Sequence, residues 1–281
     1  MSRNAFGRLC QILENTGGLR PTRHLTISEQ VVIFLSVLAH HKKNCVVKHD
    51  FIRSGRTISK HFHSVLSAVL RVQPMLLPRP AAVGEECQDP RWRWFKGCLS
   101  ALDGTYIDVR VPDCAKGRYR NRKGQTSLNV LGVCNMEGLF TYVLSGWEGS
   151  AVDGRVLFDS LSRSTGLKVP LECMQAFKLR HAAARNVIER LFGLLKTRWG
   201  ILRSPSYYSI DVQSRIVVAC CLLHNYVRME MPDDPLESEV PEEPNNEMVR
   251  TWTLSAPLKP LLLGPRGVNL AANMYAEWLH R

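Results

Sequence analysis

Apolar residues recur at helical spacing at both ends of the chain, and a different pattern lies between them. The strongest stripe, within Arg180–Trp199, consists of Ala184, Val187, Ile188, Leu191, Leu194, Leu195 and Trp199. A second apolar helix is predicted from Asp211 onward. Glu189 lies one residue off the first stripe, close to Arg190 and Lys196 on the helix. Such a carboxylate is either a surface ion pair or an acid delivered to an active site.

The N-terminal pattern predicts several helices separated by polar turns. A helix over EQVVIFLSVLAHH is capped by Thr26 or Ser28, and a longer one, capped by Thr57, follows a turn at Ser54-Gly55. This arrangement is typical of a helix-turn-helix, although an ordinary three-helix bundle fits equally well. On the DNA-binding interpretation, the contacts come from the start of the longer helix: Arg56, Lys60 and His61.

In the middle of the chain the period changes from helical to alternating. The segments CLSALDGTYIDVRVP, LNVLGVC and LFTYVLSGW predict three strands, and NMEG predicts a tight turn between the last two. Together they predict an antiparallel meander. The loop between the first two strands suits phosphate groups, unless it is merely solvated, because it is rich in cations: Lys116, Arg118, Arg120, Arg122 and Lys123.

Charge is distributed unevenly over the 281 residues. The chain has 37 basic and 25 acidic residues and a net charge of +12, but eight of the acids lie within residues 230–247. The remaining 17 acids against 37 bases leave +20 on the rest of the chain. This imbalance favours a nucleic-acid partner, although it also fits mere solubility.

The nine cysteines include no CxxC pair. Cys220, Cys221 and His224 lie close together in an apolar helix, but no second ligand pair accompanies them, so we expect core residues rather than a zinc site. Free thiols favour a reducing compartment. The chain has no apolar run of membrane-spanning length and no secretory segment at its start, so we expect an intracellular protein without membrane contact.

Asp103 is the most informative single residue, because an acid in an apolar strand is costly to bury unless it is paired or metal-bound. The glycine that follows, Gly104, allows a ligand to approach the backbone closely. An acid on a strand combined with Glu189 on a distant helix is the arrangement that two-metal phosphodiester chemistry requires. Mg²⁺ and Mn²⁺ prefer such oxygen ligands.

Several motifs together resemble the plant PIF/Harbinger transposase-derived nucleases. These are ALDGTYI, GWEGSAVDGRVL, RNVIERLFGLLKTRWGIL and CCLLHNYVR, in this order, with the N-terminal segments EQVVIFLSVLAHH and SGRTISKHFHSVL. The resemblance implies an α/β fold, with a ribonuclease-H-like core of a mixed sheet flanked by helices behind an all-α, helix-turn-helix-like domain. It implies a nuclear nuclease that depends on Mg²⁺ or Mn²⁺. DNA is then a partner, together with a Myb/SANT-like protein or a chromatin complex.

The resemblance also implies a triad of acids, of which this chain retains two. Asp103 is the first acid and Glu189 is the last. The strand that carries the middle acid in the family is missing, because VPLECMQAFKLRH runs straight into the final helix and no Asp lies between Asp159 and Asp211. Asp153 matches the family's GSxxD motif and is expected to be a supporting acid or a partial substitute.

These observations predict the following layout: a helical domain at 1–73, a linker at 74–97, a nuclease-type domain at 98–229 with a deletion near 170–176, an acidic disordered segment at 230–250, and a tail with a short helix at 251–281. The expected function is that of a metal-dependent DNA endonuclease homologue that is weak or inactive. The alternative is a domesticated, non-catalytic nuclear protein that binds DNA or chromatin.

Overall fold

The computed structural model describes residues 1–88, 100–167 and 181–236. Five helices precede the sheet: α1 (Arg3–Asn15), α2 (Ile27–His40), α3 (Asn44–Asp50), α4 (Gly55–Arg71) and α5 (Gln73–Leu76). Three strands and four further helices follow in this order: β1 (Ala101–Asp108), α6 (Lys116–Tyr119), β2 (Ser127–Cys134), β3 (Phe140–Glu148), α7 (Asp153–Ser162), α8 (His181–Arg198) and α9 (Ile210–Glu230). The three predicted strands and the long helices are therefore confirmed.

Side-chain caps set the starts of α2 and α4. The Thr26 hydroxyl accepts a hydrogen bond from the backbone N–H of Glu29 at 3.2 Å, which confirms one of the two predicted caps. The predicted cap of α4 is wrong, because Ser54, and not Thr57, adopts the extended conformation before the helix. The Ser54 hydroxyl accepts from the N–H of Thr57 at 3.1 Å, so the helix begins three residues earlier than expected.

The N-terminal helices share one hydrophobic core with the sheet and α9. α4 packs against both α2 and α9, and the rings of Phe34 and Phe62 lie 5.1 Å apart. Buried Asn225 on α9 joins these layers, because its amide accepts from the Phe140 N–H at 2.8 Å and donates to the Leu76 carbonyl at 2.7 Å. Helices and sheet are thus packed as one body, and the proposed boundary near residue 73 stays a prediction.

The sheet is an antiparallel meander in the order β1-β2-β3. Asp103 pairs with Gly132, and Tyr106 pairs with Asn129. The three described strands all run antiparallel, which confirms the predicted meander, and β1 forms one edge of the described sheet. The mixed sheet that the resemblance implies stays a prediction. The predicted deletion near 170–176 lies outside the described residues.

Helices cover both faces of the sheet. α8 and α9 pack on one face, where Ile107, Leu128 and Val130 enter the main core. α7 packs on the other face through Val156, which contacts Leu131 and Leu144. This α/β arrangement is consistent with a ribonuclease-H-like core, and it gives the two faces of β1 different chemistry.

Part of the predicted acidic disordered segment is ordered. Asp234 is buried and forms an ion pair with Arg198 at the end of α8. The expectation of disorder is therefore wrong for residues 230–236, where this ion pair holds the chain. Residues 237–281, with the predicted tail helix, and residues 89–99 of the predicted linker lie outside the described part.

No helix of the described ranges is long and apolar enough to span a bilayer. Cys220 and Cys221 are fully buried in α9, as expected for core residues, and burial raises the pKa of both thiols.

Candidate functional site

Asp103 lies on the face of the sheet that carries α8. Side chains of a strand alternate between faces, so Asp103 shares its face with Thr105 and Ile107. Ile107 enters the core that α8 contributes to, and the Thr105 hydroxyl accepts a hydrogen bond from Lys196 of α8 at 3.0 Å. The half-buried Asp103 carboxylate therefore belongs to the β1–α8 interface.

Glu189 lies on the sheet-facing side of α8, near the same end of β1. Phe192 follows it by three residues and Lys196 by seven, and residues at these spacings share one helical face. Lys196 contacts Thr105, whereas Phe192 lies one turn earlier against Gly132, the direct partner of Asp103. The next turn toward the N-terminus carries Glu189, which is half-buried. A close approach of the two carboxylates stays a prediction.

Gly132 is what allows α8 to lie so close to the sheet. A Cβ atom at this position would lie 2.6 Å from Cζ of Phe192 and 3.2 Å from the Phe140 ring. Any larger residue would therefore push the helix away from β2. The Gly132–Phe192 contact thus sets how closely α8 approaches β2, a role that the sequence pattern did not reveal.

Asp153 lies on the opposite face of the sheet. It is the first residue of α7, and its Oδ1 atom is 3.3 Å from the position that a Cβ atom at Gly104 would occupy. Oδ1 also accepts a hydrogen bond from the side chain of buried Asn129 at 3.1 Å. Gly104 and Asn129 share the face that points away from Asp103. Asp153 therefore adjoins β1 but faces the other way, and a catalytic part for it stays a prediction.

Asn129 is the polar residue that sequence reasoning missed. Its amide donates to Asp153 and also to the Ala151 carbonyl at 3.1 Å, so it anchors the start of α7 on β2. An asparagine inside the otherwise apolar segment LNVLGVC was the available signal. Tyr106 is the partner of Asn129 on β1. Burial is the largest cause that raises the pKa of Tyr106, and the charge of the Asp153 carboxylate raises this pKa further.

The basic loop between β1 and β2 is exposed at the end of the same sheet. Arg118 forms an ion pair with Glu148, and Lys116 pairs with Asp113 at 2.6 Å, so these two cations are partly neutralised. Arg120, Arg122 and Lys123 are exposed. Burial lowers the pKa of Lys196, the charge of Asp108 raises it, and the charge of Lys123 lowers it. This end of the loop therefore lies near the α8 face of β1.

The start of α4 offers two of the three expected contact residues. Arg56 and Lys60 are exposed, and their contact with DNA stays a prediction. His61 is a correction, because it is only 5% exposed and its Nδ1 atom is hydrogen-bonded to the Gln30 side chain at 3.0 Å. It falls on the buried side of α4 between Ile58 and Val65, so it contributes to the core instead of to a DNA contact.

Two families match the chain. Residues 102–169 and 168–225 match the model described as DDE superfamily endonuclease, and residues 1–71 match a domain of unknown function, DUF8040. The chain carries a DDE superfamily endonuclease domain. The match divides at 168–169, next to the junction at which a strand was predicted to be missing. No solved structure matches the chain.

The curated relatives come from animals and plants. The chain is 28% identical over 183 residues to "Putative nuclease HARBI1" of Bos taurus and of Homo sapiens, over 54% of this chain and 52% of the relative. It is 20% identical over 290 residues to "Protein ALP1-like" of Arabidopsis thaliana, over 85% of this chain and 71% of the relative. The chain spans about half the length of the HARBI1 relatives. The predicted resemblance to Harbinger transposase-derived nucleases is confirmed.

The described residues do not fit the two-ion site that the resemblance implies. DDE superfamily endonuclease domains generally use divalent metal ions. Within the described part of the chain, no three His, Cys, Asp or Glu side chains are grouped so that they could hold a metal ion. Asp103 lies on the face of the sheet that carries α8, whereas Asp153 lies against the opposite face. The predicted set of Asp103, Glu189 and Asp153 is therefore not assembled as a metal site here.

Proposed function

We propose that this chain is a DNA-binding member of the Harbinger-derived nuclease family whose cleavage of DNA is weak or absent. One observation carries this proposal: Asp153 adjoins β1 on the face opposite to Asp103. The acid that was expected to act as a partial substitute therefore lies against the face of β1 opposite to Asp103. A site that must hold two closely spaced divalent cations needs more negative charge than two carboxylates supply.

The residues of this chain are better suited to holding DNA than to cutting it. Arg120, Arg122 and Lys123 are exposed on the basic loop, and Arg56 and Lys60 are exposed at the start of α4. Such cations bind the phosphate backbone without sequence preference and release counterions on binding. The net charge of +12, with a concentration of acids at 230–247, supports the same function.

Plasmid nicking by the purified full chain tests the catalytic half of the proposal. Supercoiled plasmid is incubated with the protein in Mg²⁺ and, separately, in Mn²⁺, beside the matched variant Asp103→Ala. We expect nicking by the native chain to stay at or near the level of the variant. Vigorous, multiple-turnover nicking that depends on the metal ion and disappears in Asp103→Ala would contradict the proposal, because the retained acids would then suffice.

A duplex-DNA titration of the same samples tests the binding half. We expect both proteins to bind with the same strongly salt-dependent affinity, since Asp103 contributes nothing to phosphate contacts. Failure of the native chain to bind duplex DNA at low salt would remove this half of the proposal, whatever the nicking assay gives.

The cellular setting follows from the resemblance and belongs to the same proposal. We place the protein in the nucleus, with a Myb/SANT-like protein or a chromatin complex as its partner. A relative in Arabidopsis thaliana that is 24% identical over 280 residues is named "Antagonist of like heterochromatin protein 1", which supports a chromatin context. A purely non-catalytic protein that binds DNA or chromatin is the outcome if the chain binds duplex DNA and never nicks it.

A further inference from the structure

Tyr207 presents an aromatic ring to solvent beside a fixed guanidinium group. The residue lies in the loop between α8 and α9, and 71% of its surface is exposed. The guanidinium carbon of Arg110, which follows β1, lies 4.1 Å from the centroid of the Tyr207 ring. Arg110 therefore covers one side of the ring. The high exposure leaves much of the rest of the ring open, although large aromatic side chains are usually buried.

Ring stacking and hydrogen bonds hold the loop that carries Tyr207 in place. The neighbouring Tyr208 is stacked on Phe62 of α4, with the ring centroids 4.7 Å apart and the planes 12° from parallel. The side-chain amide of buried Gln213 donates to the carbonyls of both Arg110, at 3.2 Å, and Tyr208, at 2.6 Å. One glutamine thus ties the Arg110 backbone to that of the loop. The backbone segments that carry Arg110 and Tyr207 are thus held together, which favours the contact between their side chains.

The loop that carries Tyr207 is basic. Arg110 and Arg203 are both exposed. The segment from Lys196 to Ile210 contains no acid, and the exposed Asp211 follows it in α9. The surroundings of the ring therefore suit a polyanion.

We propose that the Arg110–Tyr207 pair is a stacking platform for an unpaired base of DNA. A base would stack on the open part of the Tyr207 ring, while Arg110 and Arg203 neutralise the flanking phosphates. Bases inside a duplex are already stacked on one another, so the platform favours single-stranded DNA, or the unpaired end of a duplex, over continuous duplex. This inference rests on the proposed function in taking DNA as the ligand, and it adds which strand state is recognised and where.

Titration of the full chain with a short single-stranded oligonucleotide and with a duplex of the same length tests the platform. We expect Tyr207→Ala to weaken single-strand binding by about 5- to 150-fold, the usual loss of one stacked base. Duplex binding should change little. Tyr207→Phe, which keeps the ring, should retain single-strand affinity, and Arg110→Ala should lower it. Because Tyr207 is exposed, these variants should melt at the temperature of the native chain.

Phe158→Ala is the matched control, since Phe158 is an aromatic residue on α7 with 40% exposure. Equal loss in Phe158→Ala and Tyr207→Ala, or unchanged single-strand affinity in Tyr207→Ala, would overturn the platform and leave duplex binding standing. Single-strand binding that depends on Tyr207 in a protein that fails to bind duplex would support the platform and remove the proposed duplex-binding function. Failure to bind either form of DNA would overturn both.

Discussion

The ammonium group of Lys196 donates a hydrogen bond to the backbone carbonyl of Tyr106, 3.1 Å away. The backbone N–H of Val109 donates a hydrogen bond to the carbonyl of Thr126, next to β2. Along an antiparallel strand, the backbone groups of successive residues point alternately toward the partner strand and away from it. Those of Tyr106, three residues before Val109, therefore point away from β2. Lys196 thus occupies the outer edge of β1, where a neighbouring strand would otherwise donate. Charged side chains at such an edge hinder pairing with other chains.

Replacing Lys196 by Met should therefore increase self-association. The variant removes the donor to Tyr106 and the charge at the edge, while keeping a side chain of similar length. We expect stronger light scattering and slower recovery of soluble protein than for the native chain at equal concentration. Lys196→Arg, which keeps both the charge and the donors, is the control. Equal solubility of the Met and Arg variants would show that Lys196 does not protect this edge.

The contact between Gly132 and Phe192 should contribute to the stability of the fold. A Cβ atom at position 132 would lie 2.6 Å from Phe192, so Gly132→Ala should lower the free energy of unfolding by about 1–3 kcal/mol, as overpacked cores do. Urea unfolding measures this loss. Adding Phe192→Leu should recover part of it, because the two residues are in contact.

Gly193→Ala is the matched control for this pair. Gly193 lies next to Phe192 on α8, but a Cβ atom there would have nothing within 4 Å. Alanine should stabilise this helical position by roughly 0.5–1 kcal/mol. A loss of stability in Gly193→Ala as large as that in Gly132→Ala would mean that α8 tolerates no change, and would contradict the specific contact.

Periodicity was sufficient to predict the helices and strands of this fold, but not which face of the sheet each acidic residue occupies. Alternation predicted β1, β2 and β3, and the 3.6-residue period predicted α8 and α9, because both patterns follow directly from burial of one face. Which face of β1 each acid occupies depends on strand register and on contacts between distant segments. The GSxxD motif marked Asp153 as a supporting acid, but it could not show that Asp153 accepts a hydrogen bond from Asn129 beside Gly104, on the face opposite to Asp103.

The pattern of neighbouring polar residues also led to a wrong prediction for His61 on α4. His61 lies beside two exposed cations in the sequence and was expected to contact DNA with them. Its partner, Gln30, is 31 residues away on α2, and such a buried polar pair has no local sequence signature. Ser54 was missed as the cap for a simpler reason, since two hydroxyl residues three positions apart are both acceptable N-caps.

The basic loop should contribute measurably to the salt dependence of DNA binding. Arg120 and Lys123 are exposed, so each can neutralise one phosphate. In Arg120→Ala plus Lys123→Ala, the slope of log K against log salt should become shallower by roughly 1.8, or about 0.9 for each lost phosphate contact. Duplex titrations over a range of salt concentrations measure the slope. Arg8→Ala, on α1, should leave it unchanged, and an unchanged slope in the double variant would exclude the loop from the interface.

Residues of α4 should separate into two groups by their effects. Arg56→Ala plus Lys60→Ala should weaken duplex binding and leave the melting temperature unchanged, because both side chains are exposed. His61→Ala should lower the melting temperature and leave the affinity of the folded protein unchanged, because it removes a buried hydrogen bond to Gln30. Native-like DNA affinity in the double variant would contradict a DNA contact by α4.

The buried His224 on α9 should make the fold sensitive to acid. Its ring lies 5.8 Å from that of Phe140, and burial, followed by Arg198 and Arg228, lowers its pKa from 6.5 to about 3. At a pH between these two pKa values, His224 is protonated in the unfolded chain but not in the folded chain. The free energy of unfolding therefore falls as the pH falls from 6.5 toward 3, by up to about 1.4 kcal/mol per pH unit.

Substitution of His224 by Leu should remove this part of the acid sensitivity. Between pH 7 and pH 5, the native chain should lose about 2 kcal/mol more stability than His224→Leu, since only the native chain carries the suppressed imidazole. Urea unfolding at the two pH values measures both proteins. His49→Leu, which alters an exposed histidine, should follow the native chain. If His224→Leu instead lost as much stability as the native chain on acidification, protonation of other groups would have to drive the unfolding.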